Sequence, residues 1–291
     1  MDKGFRQIKG YQADGQLRKS FSELSKKVFG LEFEDWYQEG CWGGNYIPYS
    51  ICSGTRVIAN ASVNPMEFHW NGTPRTYIQI GTVMTAPDFR RQGLGTHLIR
   101  EILRHYRHRA DGMFLFANDG AIDFYPRFGF KKSREFQYSR QVRQNGGVKA
   151  VQVPMETKQH RSLLKAAVLG SADNSPFEMS RNVGLVMFYV IKFMRHQVYY
   201  IEDQAAYVIA EQEKGSLVIH GVFSPKQADL DGIIGAFGLD ITEVTLGFKP
   251  WNADGFEARE LKEEDLTLLT LGEDWEMFEI EKNRFPALSH A

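Results

Sequence analysis

The sequence of 291 residues predicts an α/β (α+β) protein. We expect a mixed, mostly antiparallel sheet flanked by helices, followed by a second α/β domain. Three observations predict this class. The spacing of apolar residues changes between the period of a strand and that of a helix along the chain. Turn residues join neighbouring strand candidates directly, as antiparallel hairpins require. The order of elements in the first half recurs in the second, and the length suits two domains.

The first half begins with a short strand and two helices. A strand is predicted at residues 5–11, and a helix follows with its apolar stripe closed by Gly30, a residue typical of the end of a helix. A second, shorter helix is expected at residues 34–38. The stripe of the first helix consists of Leu17, Phe21, Leu24 and Val28.

Three strands rich in β-branched and aromatic residues come next, at residues 46–52, 55–69 and 75–85. Ser53-Gly54 and Asn71-Gly72 between them predict hairpin turns. From Gly93 the helical period returns. The remaining predicted elements of this half are the helix after Gly93, a strand at 113–117, a short helix at 121–128 and a strand at 132–141.

The second half repeats this order after a polar linker at residues 142–160. A helix is predicted from Thr157, and Ser175-Pro176 predicts the start of a long helix that ends near residue 193. We therefore divide the chain into domains at residues 1–145 and 146–291. The further predicted elements are strands at 197–201, 205–213 and 216–223, a helix at 226–237 and a strand at 243–247.

Composition narrows the class of protein. With 43% hydrophobic and 24% charged residues, the chain is neither disordered nor a coiled coil. Two cysteines, Cys41 and Cys52, exclude a disulfide framework and a four-thiolate zinc site, and both are expected to be inert thiols. No stretch approaches 18 apolar residues and the first 16 are polar, so we expect a cytoplasmic protein.

The net charge of −1 conceals two halves of opposite sign. Residues 1–145 carry 21 basic and 14 acidic side chains, whereas residues 146–291 carry 14 basic and 22 acidic ones. One half could hold an anion while the other attracts a cation, or the halves could attract each other across an interface. Both interpretations remain open from the sequence.

The informative segment lies where the third predicted strand meets the helix after Gly93. Glycines at 93 and 95 let the backbone approach a ligand, and the free N–H groups of the first helical turn favour an anion such as a pyrophosphate. Arg90 and Arg91 add positive charge. The pattern of a nucleoside triphosphatase loop is absent, and the third glycine of a dinucleotide fingerprint is missing.

Further residues follow at fixed distances. A strand ends at Asn118, and then come Ala121, Phe124-Tyr125 and Phe128-Gly129-Phe130. The combination P-x-x-R-x-x-G-x-G, a strand ending in Asn, and A-x-x-F-Y-x-x-F-G-F resembles the GNAT family of acetyl-CoA-dependent N-acetyltransferases. The resemblance covers residues 5–140 and is strongest at 80–131. It implies a GNAT sheet in the first domain and acetyl-CoA (coenzyme A) as cosubstrate, with no metal.

The resemblance also implies roles for individual residues. Backbone groups of the strand end would bind the pantetheine arm, the loop and first helical turn would bind the pyrophosphate, and Asn118 would bond to the arm of the cofactor. Tyr125 would lie near the thioester sulfur and act as the general acid. A phenol of pKa near 10 can fill that role. The implied cofactor-binding residues are Val83, Met84, Thr85, Arg90, Arg91, Gln92, Gly93, Leu94, Gly95, Thr96 and Asn118.

The general base is not identified by the sequence. The strand at 75–85, where many members of the family carry a glutamate, has no carboxylate. Glu67 and His69 alternate onto one face of the preceding strand, and either could act as the base, directly or through water. A substrate amine of modest pKa would need no dedicated base. We name Glu67 as the candidate base.

The second half has no phosphate loop, since Ser224-Pro225-Lys226-Gln227-Ala228-Asp229 follows its third strand. It resembles a degenerate GNAT-like domain, as in tandem members of the family that acetylate aminoglycosides and lysines, but the third domain of those proteins is missing here. We expect transfer of an acetyl group to a primary amine by direct attack in a ternary complex. The alternative is an acyl-CoA-binding regulatory module without turnover.

The expected acceptor is a small-molecule or peptide amine, cationic if the acidic half forms a wall of its site. A homodimer is compatible with this layout, whereas membrane and nucleic-acid partners are not expected. The 12 basic residues at 90–143 are explained by a polyphosphate cofactor.

Overall fold

Two β-sheets form the framework of the protein, and helices cover their faces. The computed structural model describes residues 4–143 and 148–290 of the chain. The elements of the first part are β1 (Phe5–Lys9), α1 (Gly15–Phe29), α2 (Glu34–Gln38), β2 (Ile47–Ser53), β3 (Arg56–Trp70), β4 (Thr73–Thr85), α3 (Leu94–Tyr106), β5 (Gly112–Ala117), β6 (Lys131–Lys132) and β7 (Phe136–Gln141).

The elements of the second part follow in the order that the sequence indicates, with additional short strands. They are β8 (Val151–Gln152), α4 (Lys158–Leu169), β9 (Phe177–Met179), α5 (Val183–Lys192), β10 (Val198–Ile201), β11 (Ala206–Glu213), β12 (Ser216–Phe223), α6 (Leu230–Ala236), β13 (Glu243–Leu246), β14 (Glu257–Glu260), β15 (Thr267–Gly272) and α7 (Trp275–Ile280).

Helix α1 shows how closely local sequence determines an element. The Asp14 side chain accepts hydrogen bonds from the backbone N–H groups of Gln16 and Leu17, which caps the first turn. Gly30 ends the helix at φ 72°, a left-handed conformation that suits glycine. Phe21 on the predicted apolar stripe is fully buried. The prediction of this helix is confirmed.

The first sheet has eight strands. Its order is β1-β2-β3-β4-β5-β15-β6, and β9 pairs with the end of β3 beside that path. Only β4 and β5 run parallel, and every other pair is antiparallel. The predicted mixed, mostly antiparallel sheet flanked by helices is therefore confirmed.

The second sheet has seven strands in the order β14-β7-β13-β12-β11-β10-β8. As in the first sheet, a run of antiparallel strands leads through a helix, here α6, to a parallel strand, since β12 and β13 are parallel. The repeated order of elements read from the sequence thus corresponds to a repeated strand topology.

The two sheets exchange strands between the halves of the chain. Strand β7 belongs to the second sheet, whereas β15, more than 120 residues later, lies between β5 and β6 in the first. The prediction of a single strand at 132–141 is wrong, because this segment contains two strands, β6 and β7, that belong to different sheets. The predicted domain boundary between residues 145 and 146 lies outside the described residues. The two sheets do not separate at that point of the chain, because β7 before it belongs to the second sheet and β15 after it belongs to the first.

Two predicted helices are also wrong. Residues 177–179 form β9, which pairs with β3, so the long helix expected from Ser175 begins only at Val183 with Asn182 as its cap. The segment 121–128 forms two single 3₁₀ turns, Ile122–Phe124 and Pro126–Phe128, rather than a helix. Pro126 starts the second of these turns, because its fixed φ suits the first position of a helical turn.

A large aromatic core joins the two halves. It lies on the face of the first sheet opposite α3 and combines residues of α1 and α2 with residues of α4 and α5. Phe33 stacks on Phe188 with ring centroids 5.5 Å apart, and the Trp36 indole donates a hydrogen bond to the Gly184 carbonyl at 2.7 Å. Helix α5 is thereby fixed against the first half of the chain. No helix among the described residues is both long and apolar enough to cross a bilayer.

Candidate active site

Strands β4 and β5 diverge at one end of the first sheet and leave a slot. They are paired only from Tyr77 opposite Gly112 to Gln79 opposite Phe114. Beyond this point β4 continues to Thr85 and β5 to Ala117 without pairing to each other. The unpaired backbone groups on the inner edge of β4 are free to bind an extended ligand, as an exposed strand edge can.

A bulge in β4 shapes the slot. Between the pairs Ser62 with Gly81 and Asn60 with Met84, β4 contains one extra residue relative to β3. Thr82 within the bulge has φ 47°, an uncommon left-handed conformation for a β-branched residue. Such a bulge bends its strand and changes the direction of the following backbone.

A chain of buried hydrogen bonds holds this bulge. The Asn60 amide donates to the Thr82 carbonyl at 2.9 Å, and its oxygen accepts from the Ser50 hydroxyl at 2.8 Å. Ser50 is also bonded to the Tyr11 hydroxyl at 2.6 Å. From the other side, the Tyr46 hydroxyl is bonded to the Thr82 hydroxyl at 2.6 Å. The strained conformation at Thr82 is therefore fixed by its surroundings.

The loop after β4 leads into α3 with the features of an anion site. Gly93 precedes the helix at φ 77° and no side chain caps the first turn. The first turn has no acidic residue, and Arg90, Arg91, Gln92 and Gly93 are all exposed. Uncapped N–H groups at the start of a 13-residue helix, with two arginines beside them, fit a pyrophosphate. Leu94, Gly95 and Thr96 would supply those N–H groups.

A cavity of about 490 Å³ opens at the slot. Gly81, Thr82 and Val83 of β4 line one side, and Ala117 and Asn118 at the end of β5 line the other. Met84 and Thr85 lie further along β4 and are not part of its wall. Val83 and Asn118, to which the resemblance assigns contacts with the cofactor arm, therefore lie on opposite sides of the slot.

Tyr125 also lines this cavity. The two 3₁₀ turns around it place its ring in edge contact with Phe124 and Phe130, at centroid distances of 5.1 and 6.2 Å. Its hydroxyl has no hydrogen-bond partner among the described residues. Burial raises the pKa of Tyr125 to about 12, so the phenol keeps its proton at neutral pH.

The second half of the chain supplies the rest of the wall. Helix α5 contributes Leu185, Phe188 and Tyr189, and the segment before β15 contributes Asp265. Asp265 has φ 56°, and its carboxylate accepts a hydrogen bond at 2.7 Å from the backbone N–H of the residue after Asn118. This carboxylate is thus fixed beside the end of β5.

The C-terminal segment reaches the same cavity. The His290 ring stacks on Phe116 with centroids 3.8 Å apart, and the Tyr189 hydroxyl donates to the His290 carbonyl at 2.6 Å. The Nε2 atom of His290 is buried and has no partner among the described residues. Burial, with a smaller effect of Arg284, lowers the pKa of His290 to about 3, so the ring is neutral at pH 7.

Glu67 is not brought to the cavity. It lies on β3 five residues beyond Ser62, about 17 Å along a strand, and its side chain is 59% exposed. His69 lies beside it and bonds through Nδ1 to Asp173 at 2.8 Å. The structure therefore separates both base candidates from Tyr125.

In the second sheet, the position that corresponds to the slot between β4 and β5 is filled by the chain itself. Strands β12 and β13 stop pairing after Ile219 and Leu246, and the 3₁₀ turn Ala287–Ser289 lies there. The Ala287 N–H donates to the Gly247 carbonyl at 2.7 Å. Helix α6 begins with the Asp229 side chain as its cap and Asp231 in its first turn, which opposes an anion.

Comparisons with known proteins agree with this geometry. Residues 14–130 match the model of the acetyltransferase (GNAT) family. No curated protein matches the chain significantly. The matched segment is a GNAT acetyltransferase domain that includes residues 90–96 and Tyr125, and the protein is an acyltransferase that uses an acyl-CoA.

Solved structures share the fold over nearly the whole chain. A probable N-acyltransferase of unknown function from Enterococcus faecalis has TM-score 0.59 and 13% identity over 95% of this chain and 74% of its own. Eis1 from Mycobacterium abscessus has TM-score 0.58 and 13% identity over 91% and 72%. A putative acetyltransferase from Pyrococcus horikoshii has TM-score 0.51 and 14% identity over 99% and 94%. These likenesses concern the fold of both halves.

Three parts of the site lie outside the family motif. Asp265, His290 and the aromatic residues of α5 join the cavity from more than 50 residues beyond the family motif. The excess of acidic residues at 256–281 was the available indication for Asp265. For His290, only its place near the end of β5 in three dimensions reveals its part in the site.

Proposed function

We propose that this acyltransferase moves an acetyl group from acetyl-CoA to a primary amine by direct attack in a ternary complex. The observation that carries this proposal is the cavity in which Tyr125, Asp265 and the diverging strands meet. It holds both an uncharged phenol and a carboxylate beside the slot. A catalyst for amide formation needs a proton donor for the leaving sulfur and a place for the amine.

The first half of the chain would bind and orient acetyl-CoA. Backbone groups of Val83, Met84 and Thr85 would bind the pantetheine arm, with Asn118 opposite them. The residues at 90–96 would hold the pyrophosphate at the start of α3. Holding thioester and amine together can supply much of the rate enhancement. A backbone N–H on β4 near the bulge would stabilise the negative charge that develops on the thioester oxygen.

The bond changes assign the roles of the side chains. The acceptor enters as an ammonium ion beside Asp265 and must lose one proton before attack. That proton passes to water. The nitrogen then forms the amide bond while the carbon–sulfur bond breaks, Tyr125 donates a proton to the leaving sulfur, and the tyrosinate regains a proton from the newly acylated nitrogen. Asp265 takes the place that we expected the acidic half to fill, whereas Glu67 has no part in this scheme.

We also propose a division of labour between the halves. Residues 1–145 would be catalytic, and residues 146–291 would form a GNAT-like domain that has lost cofactor binding. The filled slot between β12 and β13 and the acidic start of α6 support this. Two free, buried cysteines are consistent with work in the reducing cytoplasm.

The substitution Tyr125→Phe tests the proposal. We expect kcat to fall about 100-fold, because a general acid typically contributes that much, while the Kd for acetyl-CoA stays unchanged. Thiol release with a panel of amines measures kcat, and calorimetry measures the Kd. Tyr199→Phe on β10 is the matched control. Acetyl-CoA binding without thiol release on any amine would favour the non-catalytic module, and normal turnover in Tyr125→Phe would remove Tyr125 from its role.

A further inference from the structure

The cavity wall away from the slot is apolar and aromatic. The segment between α1 and α2 and helix α2 contribute Phe33 and Trp36, β5 contributes Phe116, and α5 contributes Leu185 and Phe188. The volume of about 490 Å³ lies in the range of pockets that take one small molecule. Such a wall favours a ligand that can bury apolar surface.

The hydroxyl and indole N–H groups of this wall are already used within the protein, whereas the His290 Nε2 atom has no partner among the described residues. The Tyr46 hydroxyl is bonded to Thr82, and the Tyr189 hydroxyl donates to the His290 carbonyl, both at 2.6 Å. The Trp36 indole N–H donates to a backbone carbonyl at 2.7 Å. These side chains therefore present ring faces and edges to a ligand, and few free hydrogen-bonding groups.

Only one side chain of the described wall carries a charge. Asp265 is the single Asp, Glu, Lys or Arg among the described residues that line the cavity. Its Oδ1 accepts the N–H of Asp119, which leaves Oδ2 for an ammonium group. One carboxylate beside the slot matches one ammonium group at the reacting end of the acceptor.

From these three observations, and on the basis of the proposed function, we infer that the acceptor is a primary amine attached to one compact apolar body, alkyl or aromatic. The ammonium group binds at Asp265 beside the slot, and the body packs against Phe33, Trp36 and Phe188. Aromatic faces also attract a cation that passes over them. A polyamine or an aminoglycoside would have to bury several amino or hydroxyl groups without partners, which is costly.

A series of amines tests this inference with acetyl-CoA held at saturation. The probes are ethylamine, butylamine, hexylamine and 2-phenylethylamine, compared with lysine, spermidine and kanamycin. We expect kcat/KM to rise about fourfold for each methylene until the cavity is full, because each buried methylene favours binding to that extent. We expect kcat/KM for 2-phenylethylamine to exceed kcat/KM for spermidine and for kanamycin.

Two variants separate the body of the acceptor from its charge. Phe193 lines the cavity and is 54% exposed, so Phe193→Ser should keep the fold and reduce the gain per methylene. Leu169→Ser is the control, since Leu169 is equally exposed and lies outside the cavity wall.

Asp265→Asn tests the charge. It keeps an oxygen for the Asp119 N–H and tolerates the left-handed φ. It should raise KM for every amine about tenfold and leave KM for acetyl-CoA unchanged.

The outcomes distinguish this inference from the proposed function. Efficient acetylation of amines with a preference for spermidine or kanamycin would overturn the inference and leave the proposed function standing. Acetylation of no amine at all would overturn both. A third result, kcat/KM that rises from acetyl-CoA to octanoyl-CoA but is the same for ethylamine and hexylamine, would overturn the inference by assigning the apolar wall to the acyl donor.

Discussion

The ring of His290 is a neutral imidazole that packs in an aromatic setting. Its ring stacks on Phe116, its carbonyl accepts the Tyr189 hydroxyl, and its Nε2 has no partner among the described residues. Both burial and the neighbouring Arg284 disfavour the protonated ring, which is why the pKa of His290 falls to about 3. Docking of this residue therefore depends on its being uncharged.

The low pKa predicts an acid-sensitive contact. An unfolded histidine has a pKa near 6.5, so between pH 6.5 and 3 the unfolded chain binds a proton that folded His290 does not. The stability contributed by the buried neutral ring is complete above pH 6.5 and is lost as the pH falls below it. At pH 5.5 the loss from this residue is about 1 kcal/mol.

The substitution His290→Phe isolates this effect, because phenylalanine keeps the stacking on Phe116 and cannot be protonated. We expect its free energy of unfolding to fall by about 1 kcal/mol less than that of the wild type between pH 7.5 and 5.5. Denaturant unfolding at the two pH values measures it. His196→Phe serves as the control, since the His196 side chain is 77% exposed. Equal losses in His290→Phe and the wild type would contradict the prediction.

At the scale of elements, β4 combines a regular strand with a strained bulge that other strands hold in place. Asn60 on β3 is fully buried and joins Thr82 to Ser50 and Ser62 through its amide group. No local sequence pattern announces such a bulge, because the bonds that fix it come from β2 and β3. The direction of the backbone at Val83 depends on this contact between strands.

Removing the Asn60 amide tests that dependence. Asn60→Ala leaves the Thr82 carbonyl and the Ser50 hydroxyl without their partner, so we expect the free energy of unfolding to fall by about 3 kcal/mol. KM for acetyl-CoA should rise, since the slot loses its fixed edge. Ser62→Ala removes the bond to Asn60 and the contact with the Tyr46 hydroxyl but leaves the bond from Asn60 to the Thr82 carbonyl, and should cost about 1 kcal/mol with KM unchanged. An unaltered KM in a folded Asn60→Ala protein would show that the bulge does not shape the slot.

The elements that the sequence predicts well are those with a local cause. Helix α1 has its cap at Asp14 and its terminal Gly30, and the hairpins around Gly54 and Gly72 follow from turn residues. The segment after Ser175 misled the prediction. Phe177 is fully buried in the core that joins the halves, where it stacks on Phe68 at 4.8 Å, and this distant contact selects a strand over the expected helix.

The residues of the candidate site also fall into two groups, those that a local motif predicts and those that only the fold brings to the cavity. Tyr125, Asn118 and the residues at 90–96 belong to one continuous motif, which the sequence predicts without any knowledge of the fold. Asp265 precedes a strand that the first sheet receives from the second half, so its place follows from the exchange of strands. The alternation of Glu67 along β3 indicates a face of the sheet but gives no distance from the slot.

At the scale of the whole molecule, the segment that fills the slot of the second sheet also leads to the cavity in the first. The segment at 284–289 lies between β12 and β13, where Arg284 donates to the Leu246 carbonyl and Ala287 to the Gly247 carbonyl, each at 2.7 Å. The chain continues from there to His290 at the cavity. A change in the second sheet should therefore alter the site by displacing this segment.

Gly247→Ala provides that change, and the effect should be measurable in both stability and activity. A Cβ at this position would lie 2.9 Å from the Ala287 Cβ and 3.0 Å from the His220 Cα, so the segment must shift. We expect the free energy of unfolding to fall by about 1–3 kcal/mol and kcat/KM for the amine to fall with it, while the Kd for acetyl-CoA is retained. Gly44→Ala, with no atom within 4 Å of its Cβ, is the control.

Adding Ala287→Gly to Gly247→Ala removes one of the clashing methyl groups and should restore part of both losses, because the two positions are in contact. If the double variant regains neither stability nor activity, the segment at 284–289 does not couple the second sheet to the site.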